Sequence, residues 1–212
     1  MAQRTEGFHS VLSEPRIYWL VQWLSGASGR HATFVRKYLR PEPGLRILDI
    51  GCGPGQMLRL MPETDYVGYD LDPGYVAAAR RRFGDRAAFH CADATKVELD
   101  GARFDAVVAM GLLHHLDDEE ADRVLEVAAG AIHPEGRVLT SDPAHIGGDS
   151  SRLARWLIRH DRGRAIREPA GYAELARRWF AEVSLSVENQ RMLPPLVPWR
   201  YPFAVMECRQ PR

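Results

Sequence analysis

The 212-residue sequence predicts an α/β fold: an open, doubly wound, seven-stranded sheet, mostly parallel with an antiparallel edge strand, preceded by a helical arm. Three observations carry that expectation. From Leu45 onward, short apolar runs alternate with helical segments, the pattern of βαβ units around a parallel sheet. The first run, "RILDI", leads straight into three alternating glycines, Gly51, Gly53 and Gly55. Near the end, "EVSLSVEN" alternates apolar and polar residues and "FAVMEC" is a compact apolar run, a pair suited to close one sheet edge.

Taken in order, residues 1–44 read as the arm. Ile17, Leu20, Val21 and Leu24 fall at helical spacing, as do Phe34, Val35 and Leu39, and "RPEPG" then stops the helix. "LRILDI" is the first strand and "GQMLRLMP" its helix, halted by Pro62. "DYVGYDL" is the second strand, followed by the helix "PGYVAAARRRF", which Asp72 caps with Pro73 at its first position. "AAFHC" is a short third strand. "RFDAVVAMGLL" is the fourth, with Asp105 a structural residue at its start. The acidic opening of "DDEEADRVLEVAAGAI" suits a helix N-terminus, and Val124, Leu125, Val127, Ala128 and Ile132 give it a buried face. "GRVLTSD" is the fifth strand. Helix-like "SRLARWLIRHDRGRAI" and "AGYAELARRWF" precede the closing pair. One domain is expected over 1–212, with 1–44 the arm, 45–143 the core, and 144–212 further helices and edge strands.

Composition narrows the partners. Lys plus Arg and Asp plus Glu both number 28, so no long-range field draws nucleic acid or an anionic membrane. The three cysteines, Cys52, Cys91 and Cys208, are far apart and show no C-x-x-C spacing, which suggests a reducing cytoplasm and no thiolate metal site. "IYWLVQWL" is too short to span a bilayer.

A glycine-rich turn between strand and helix admits a ligand close to the backbone. A dinucleotide wants G-x-G-x-x-G, whereas here Gln56 stands at the place of the third glycine. Asp70 ends the second strand, 19 residues beyond Gly51, where a carboxylate accepts hydrogen bonds from both hydroxyls of a ribose. That acid supports a nucleoside without choosing one.

At "LDIGCGPG", "VGYDLDP", "CADAT" and "FDAVVAMGLLHHL", in that order, the sequence resembles the class I S-adenosylmethionine-dependent methyltransferases of the small-molecule type, over roughly residues 45–143. The resemblance implies a Rossmann-like fold and S-adenosyl-L-methionine as cofactor. It implies a site made of Asp49, Gly51, Cys52, Gly53, Gly55, Asp70, Leu71, Asp93, Ala94, Met110, Gly111 and His115. Asp93 would meet the adenine amino group with Ala94 supporting the ring, Asp49 would position the amino acid end, and Met110 and Gly111 would flank the methionine portion.

Methyl transfer from a sulfonium is an in-line displacement, so alignment and exclusion of water supply much of the rate. A base is needed only where the acceptor must lose a proton. His114 and His115 follow the fourth strand, and Asp142 and His145 follow the fifth, on the side where parallel sheets bind ligands. His115, His114 and His145 are the candidate catalytic residues, acting as bases or by positioning. Adjacent histidines diverge, and no acidic ligand set follows the fourth strand, so no metal is expected. Tyr18, Trp19, Trp23, Trp156, Tyr172, Trp199 and Tyr201 are candidates to line an acceptor pocket under a lid made of the arm and a helix near 151–162. A small-molecule acceptor, no nucleic acid or membrane partner, and a monomer or homodimer are expected. The rivals are a nicotinamide-dependent oxidoreductase and a non-catalytic binding protein that keeps the fold.

Overall fold

The structure, a computed structural model, describes residues 27–97, 99, 101–146, 165–191 and 200–212. The arm contributes α1 (Ala27–Phe34), continued by a π-helical turn over Val35–Leu39. The core follows as β1 (Arg46–Ile50), β2 (Asp65–Asp70), α2 (Pro73–Phe83), β3 (Ala88–Cys91), β4 (Phe104–Met110), α3 (Asp118–Ala131) and β5 (Ile132–Pro143). Beyond it come α4 (Pro169–Ala176), β6 (Phe180–Arg191) and β7 (Arg200–Pro211).

The strands form one seven-stranded sheet in the order β3-β2-β1-β4-β5-β7-β6. β1 to β5 are mutually parallel, and β7 runs antiparallel to both β5 and β6, so the expected closing pair is present. Adjacent residues on the central strands serve opposite faces, as the pleat requires. Leu48, Val107, Val138 and Met206 join the α3 and α4 side chains Val124, Leu125, Ala128, Tyr172 and Ala176. Ile47, Val108, Leu139 and Val205 join Phe34, Val35 and Leu39 of the arm and Val76 and Ala79 of α2. Near-continuous apolar strands thus reflect a sheet covered on both sides.

Local chemistry fixes the helix starts. The Asp72 carboxylate accepts from the amides of Gly74 and Tyr75, with Pro73 at the first helical position. Asp117 and Glu120 form a reciprocal capping box at the start of α3. Asp105 accepts the Arg46 amide at 2.8 Å, in keeping with a structural residue that joins β4 to β1.

Two helices differ from expectation. "GQMLRLMP" makes only one 3-10 turn, Met57–Leu60, because the left-handed Gly55 on one side and Pro62 on the other leave no room for more. α4 ends at Ala176, and the residues after it turn into β6, whose Phe180 is fully buried. The arm lies across the antiparallel end of the sheet. Tyr38 and Lys37 reach Glu188 of β6, and the Arg137 guanidinium caps the Leu39 carbonyl. The expected helix near 151–162, with Tyr18, Trp19, Trp23, Trp156, Trp199 and the Tyr201 side chain, lies outside the described residues. Tyr172 is no pocket wall: it is 1 % exposed and its hydroxyl donates to the Pro143 carbonyl.

Candidate active site

The sheet order reverses between β1 and β4, and the carboxyl ends of the strands at that point open the crevice where parallel α/β sheets take ligands. Gly51, Gly53 and Gly55 all have left-handed backbone, with φ of +78°, +54° and +72°. Glycine is required there on two counts, since a Cβ on Gly55 would lie 2.8 Å from the Phe83 ring.

The loop amides are already engaged. Gly51 and Cys52 donate to the Tyr69 carbonyl at 2.8 and 3.0 Å, Gly53 donates to Asp70 Oδ2 at 2.8 Å, and Gly55 donates to the Cys52 carbonyl at 3.1 Å. Pro54 has no N–H. No row of unspent donors faces the crevice from Gly51 to Gly55, and only a single 3-10 turn follows. A phosphate-binding helix N-terminus is therefore absent from this turn.

Asp70 terminates β2 with Oδ2 held by the Gly53 amide and Oδ1 by the Asp72 amide at 2.9 Å. Burial raises its carboxyl above the usual range, against the pull of the Asp72 and Gly53 amides. Each oxygen keeps further acceptor capacity, which suits a diol. Leu71, just beyond, is exposed.

Asp49 is 2 % exposed on β1 and accepts a hydrogen bond from the Tyr66 hydroxyl of β2. Burial pushes its carboxyl up to about 7, the Tyr66 hydrogen bond opposes that rise, and the nearby Asp70 adds to it. The folded chain thus holds a proton on Asp49, between the ordinary carboxylate range and about pH 7, that the unfolded chain has lost. Stability carried by that proton falls as pH rises through this window. Asp49→Asn, which keeps an acceptor for Tyr66 and cannot ionise, is expected to gain roughly 2–3 kcal/mol on the parent between pH 5 and pH 8 in urea unfolding. A parent-minus-variant difference flat with pH would contradict this.

Asp93, after β3, accepts from the Thr95 amide and hydroxyl at 3.0 and 2.8 Å. The Thr95 hydroxyl is the main cause that holds its carboxyl below the ordinary range, and Lys96 adds to it from 3.6 Å. Ala94 continues this turn. Met110 ends β4, and Gly111, at φ +70°, anchors the exit by donating to the Ser141 carbonyl.

The histidines separate into two kinds. His114 is 6 % exposed; its Nδ1 lies 2.9 Å from Asp142 Oδ1, which also accepts the His114 amide. A carboxylate only accepts, so Nδ1 is the donor, and in the neutral ring Nε2 is then the nitrogen with the lone pair. Asp142 Oδ2 is buried with no hydrogen-bond partner among the described residues. His115 is exposed, with its ring centroid 3.9 Å from that of His114. His145 is exposed past β5, and its amide donates to the Arg167 carbonyl. The His114 loop abuts the glycine loop, since a Cβ on Gly51 would meet Leu112 at 3.3 Å. Among the described residues no group of three or more His, Cys, Asp or Glu is placed to hold a metal ion.

Tyr66 and Arg167 escaped the sequence reading. Tyr66 sits in a strand like any core aromatic, and only the register that sets β2 beside β1 brings it to Asp49. Arg167 binds mostly backbone carbonyls, which leave no mark in a sequence.

Residues 47–136 match the family model described as a methyltransferase domain. Over these residues the chain is similar to a methyltransferase domain, a match that covers less than half of its length. A ubiquinone biosynthesis O-methyltransferase of Azorhizobium caulinodans is 33% identical to it over 117 residues, 53% of this chain and 46% of the relative. A probable tRNA methyltransferase 9B of Homo sapiens is 31% identical over 107 residues, 50% of this chain and 23% of the relative. The chain spans at most about half the length of these curated relatives. In fold, the chain resembles phosphoethanolamine N-methyltransferase 2 of Haemonchus contortus, solved with phosphomonomethylethanolamine and S-adenosylhomocysteine. The TM-score is 0.79 at 15% identity, covering 100% of this chain and 61% of the other. Among the described residues, no helix is long and apolar enough to cross a membrane.

Proposed function

We propose that this domain moves the methyl group of S-adenosylmethionine to an oxygen, nitrogen or carbon atom of a small-molecule acceptor by in-line displacement. One observation carries the choice of ligand: a glycine loop with its amides spent internally stands beside an Asp70 carboxylate that still has acceptor capacity. Such a site receives a nucleoside with ribose hydroxyls but offers little to a pyrophosphate. The relative that acts in ubiquinone biosynthesis is an O-methyltransferase, and the similar Haemonchus contortus structure holds S-adenosylhomocysteine. The balance of 28 basic and 28 acidic residues favours a small acceptor over the RNA that the human relative's name implies.

When bound, the cofactor supplies a methyl group on a positively charged sulfur that leaves with its bonding pair. Asp70 accepts from the ribose hydroxyls, and Asp93 and Ala94 meet the adenine. Asp49, on the strand that leads into the loop formed by Gly51, Cys52, Gly53 and Gly55, would help position the amino acid end, with Leu71, Met110, Gly111 and His115 completing the wall. His114 Nε2 takes the proton that an oxygen or nitrogen acceptor gives up, while Asp142 holds the ring in the tautomer that leaves Nε2 free. His115 and His145, both exposed, serve at the acceptor side.

Calorimetry with S-adenosylhomocysteine, beside fluorescence titration with reduced nicotinamide dinucleotide, tests the ligand. Micromolar binding of the first and none of the second is expected; the reverse would make the protein an oxidoreductase. Release of S-adenosylhomocysteine in the presence of a small-metabolite extract, compared with total tRNA, tests the acceptor. Turnover with tRNA alone would refute the small-molecule assignment, and binding without turnover on either would leave a binding protein.

A further inference from the structure

Arg167 stands between the two strands whose ends carry His114 and Asp142. Its side chain is 11 % exposed, yet the carboxylate it pairs with, Asp118, is 80 % exposed. The guanidinium donates to Asp118 Oδ1 through Nε and Nη2 at 2.9 and 2.7 Å. It also reaches the carbonyls of Leu113 and Leu116 at 2.9 Å each, and that of Ala165 at 3.1 Å. Leu113 and Leu116 bracket the His114–His115 pair, so the side chain grips the β4 exit loop on both sides of it.

The backbone around Arg167 holds the other strand. Its carbonyl accepts the His145 amide at 3.0 Å, and Ala144 and Arg167 form a parallel bridge, two residues past Asp142. The Ala165 amide donates to the His114 carbonyl at 3.1 Å. The Tyr172 hydroxyl accepts the Arg167 amide at 3.4 Å and donates to Pro143. One residue therefore ties the β4 exit loop through its side chain and the β5 exit through its main chain.

We infer that Arg167 is a positioning residue for the transfer step, setting the distance at which His114 meets Asp142. This rests on the methyltransferase reading for its catalytic consequence, though not for its structural one. The planar fork is the relevant chemistry: five fixed N–H donors span two carbonyls of one loop, a third carbonyl and a carboxylate, which a lysine ammonium with three donors at one point does not do. The ion pair itself is the lesser part, because Asp118 is wet.

The test compares Arg167→Lys with Asp118→Asn in the full chain labelled with 15N. In the parent, the His114 ring nitrogens should report a proton fixed on Nδ1. Arg167→Lys is expected to shift or broaden those signals and to lower kcat on the order of tenfold or more, with affinity for S-adenosylhomocysteine within about twofold. Asp118→Asn should leave signals and kcat near the parent's. Parent-like His114 signals in Arg167→Lys, or an equal loss in Asp118→Asn, would overturn the inference. Should Arg167→Lys not fold, Tyr172→Phe, which removes two neutral bonds from the same junction, must perturb the same ring signals; unchanged signals there would also overturn it. The ring readout needs no turnover, so a chain that fails to bind S-adenosylhomocysteine would sink the functional reading while Arg167 is still judged.

Discussion

Asp70→Ala is expected to weaken S-adenosylhomocysteine binding by about a hundredfold or more, because two hydrogen bonds to a charged group contribute roughly 1.5–3 kcal/mol each. Two losses coincide at this residue. The ribose hydroxyls lose their acceptor, and the amides of Gly53 and Asp72 lose the carboxylate that fixes the glycine loop to the end of β2. Gly53→Val should weaken binding through the second route alone, since a β-branched residue does not adopt a φ of +54° without strain. Circular dichroism for both should resemble the parent's, because neither residue belongs to the two apolar clusters that hold the sheet. Unchanged affinity in calorimetry for both variants would remove the assignment of this crevice as the donor site.

His114→Gln should lower kcat for an oxygen or nitrogen acceptor by about a hundredfold or more while the affinity for S-adenosylhomocysteine stays near the parent's. Asp142→Asn should follow it, because an amide in place of the carboxylate no longer demands the proton on Nδ1 and so no longer reserves Nε2 for the acceptor. The exposed His115 and His145 are expected to cost less than tenfold when changed to Gln, since both rings lie at the surface whereas His114 is buried against Asp142. Parent-like turnover in His114→Gln, or a larger loss in His115→Gln than in His114→Gln, would move the proton transfer away from the buried pair.

Much of the architecture was legible in the residues. Runs such as "RILDI" and "FDAVV" are apolar without interruption because their strands are covered on both faces, and the closing pair alternates where β6 is covered less completely. Asp72 and Pro73, and Asp117 and Glu120, mark their helix starts through short-range chemistry that a sequence displays directly. The segment after the glycines makes one 3-10 turn instead of the expected helix, because few residues lie between Gly55 and Pro62, a limit that apolar spacing does not express. At the site, Gly51, Gly53, Gly55 and Asp70 were visible because spacing from the first strand places them. In the sequence Asp142 is only one of several groups around the end of β5; its union with His114 depends on the β4–β5 register and on the loop that Arg167 holds. Tyr66 on Asp49 is likewise a property of neighbouring strands rather than of neighbouring residues.

The engaged amides of the glycine loop also bear on competition inside a cell. Adenine and ribose are common to many abundant metabolites, so contacts to them do not tell a methyl donor from a nucleotide. What differs is the group carried at the far end of the ribose. A phosphate brought there would surrender water and find the N–H groups of Gly51, Cys52, Gly53 and Gly55 already committed. The cost of that uncompensated desolvation falls hardest on a phosphate, whose negative charge is not offset by an ammonium as it is in the donor's amino acid end. Rejection by withheld donors needs no additional residue, and it would persist in any variant that keeps this turn intact.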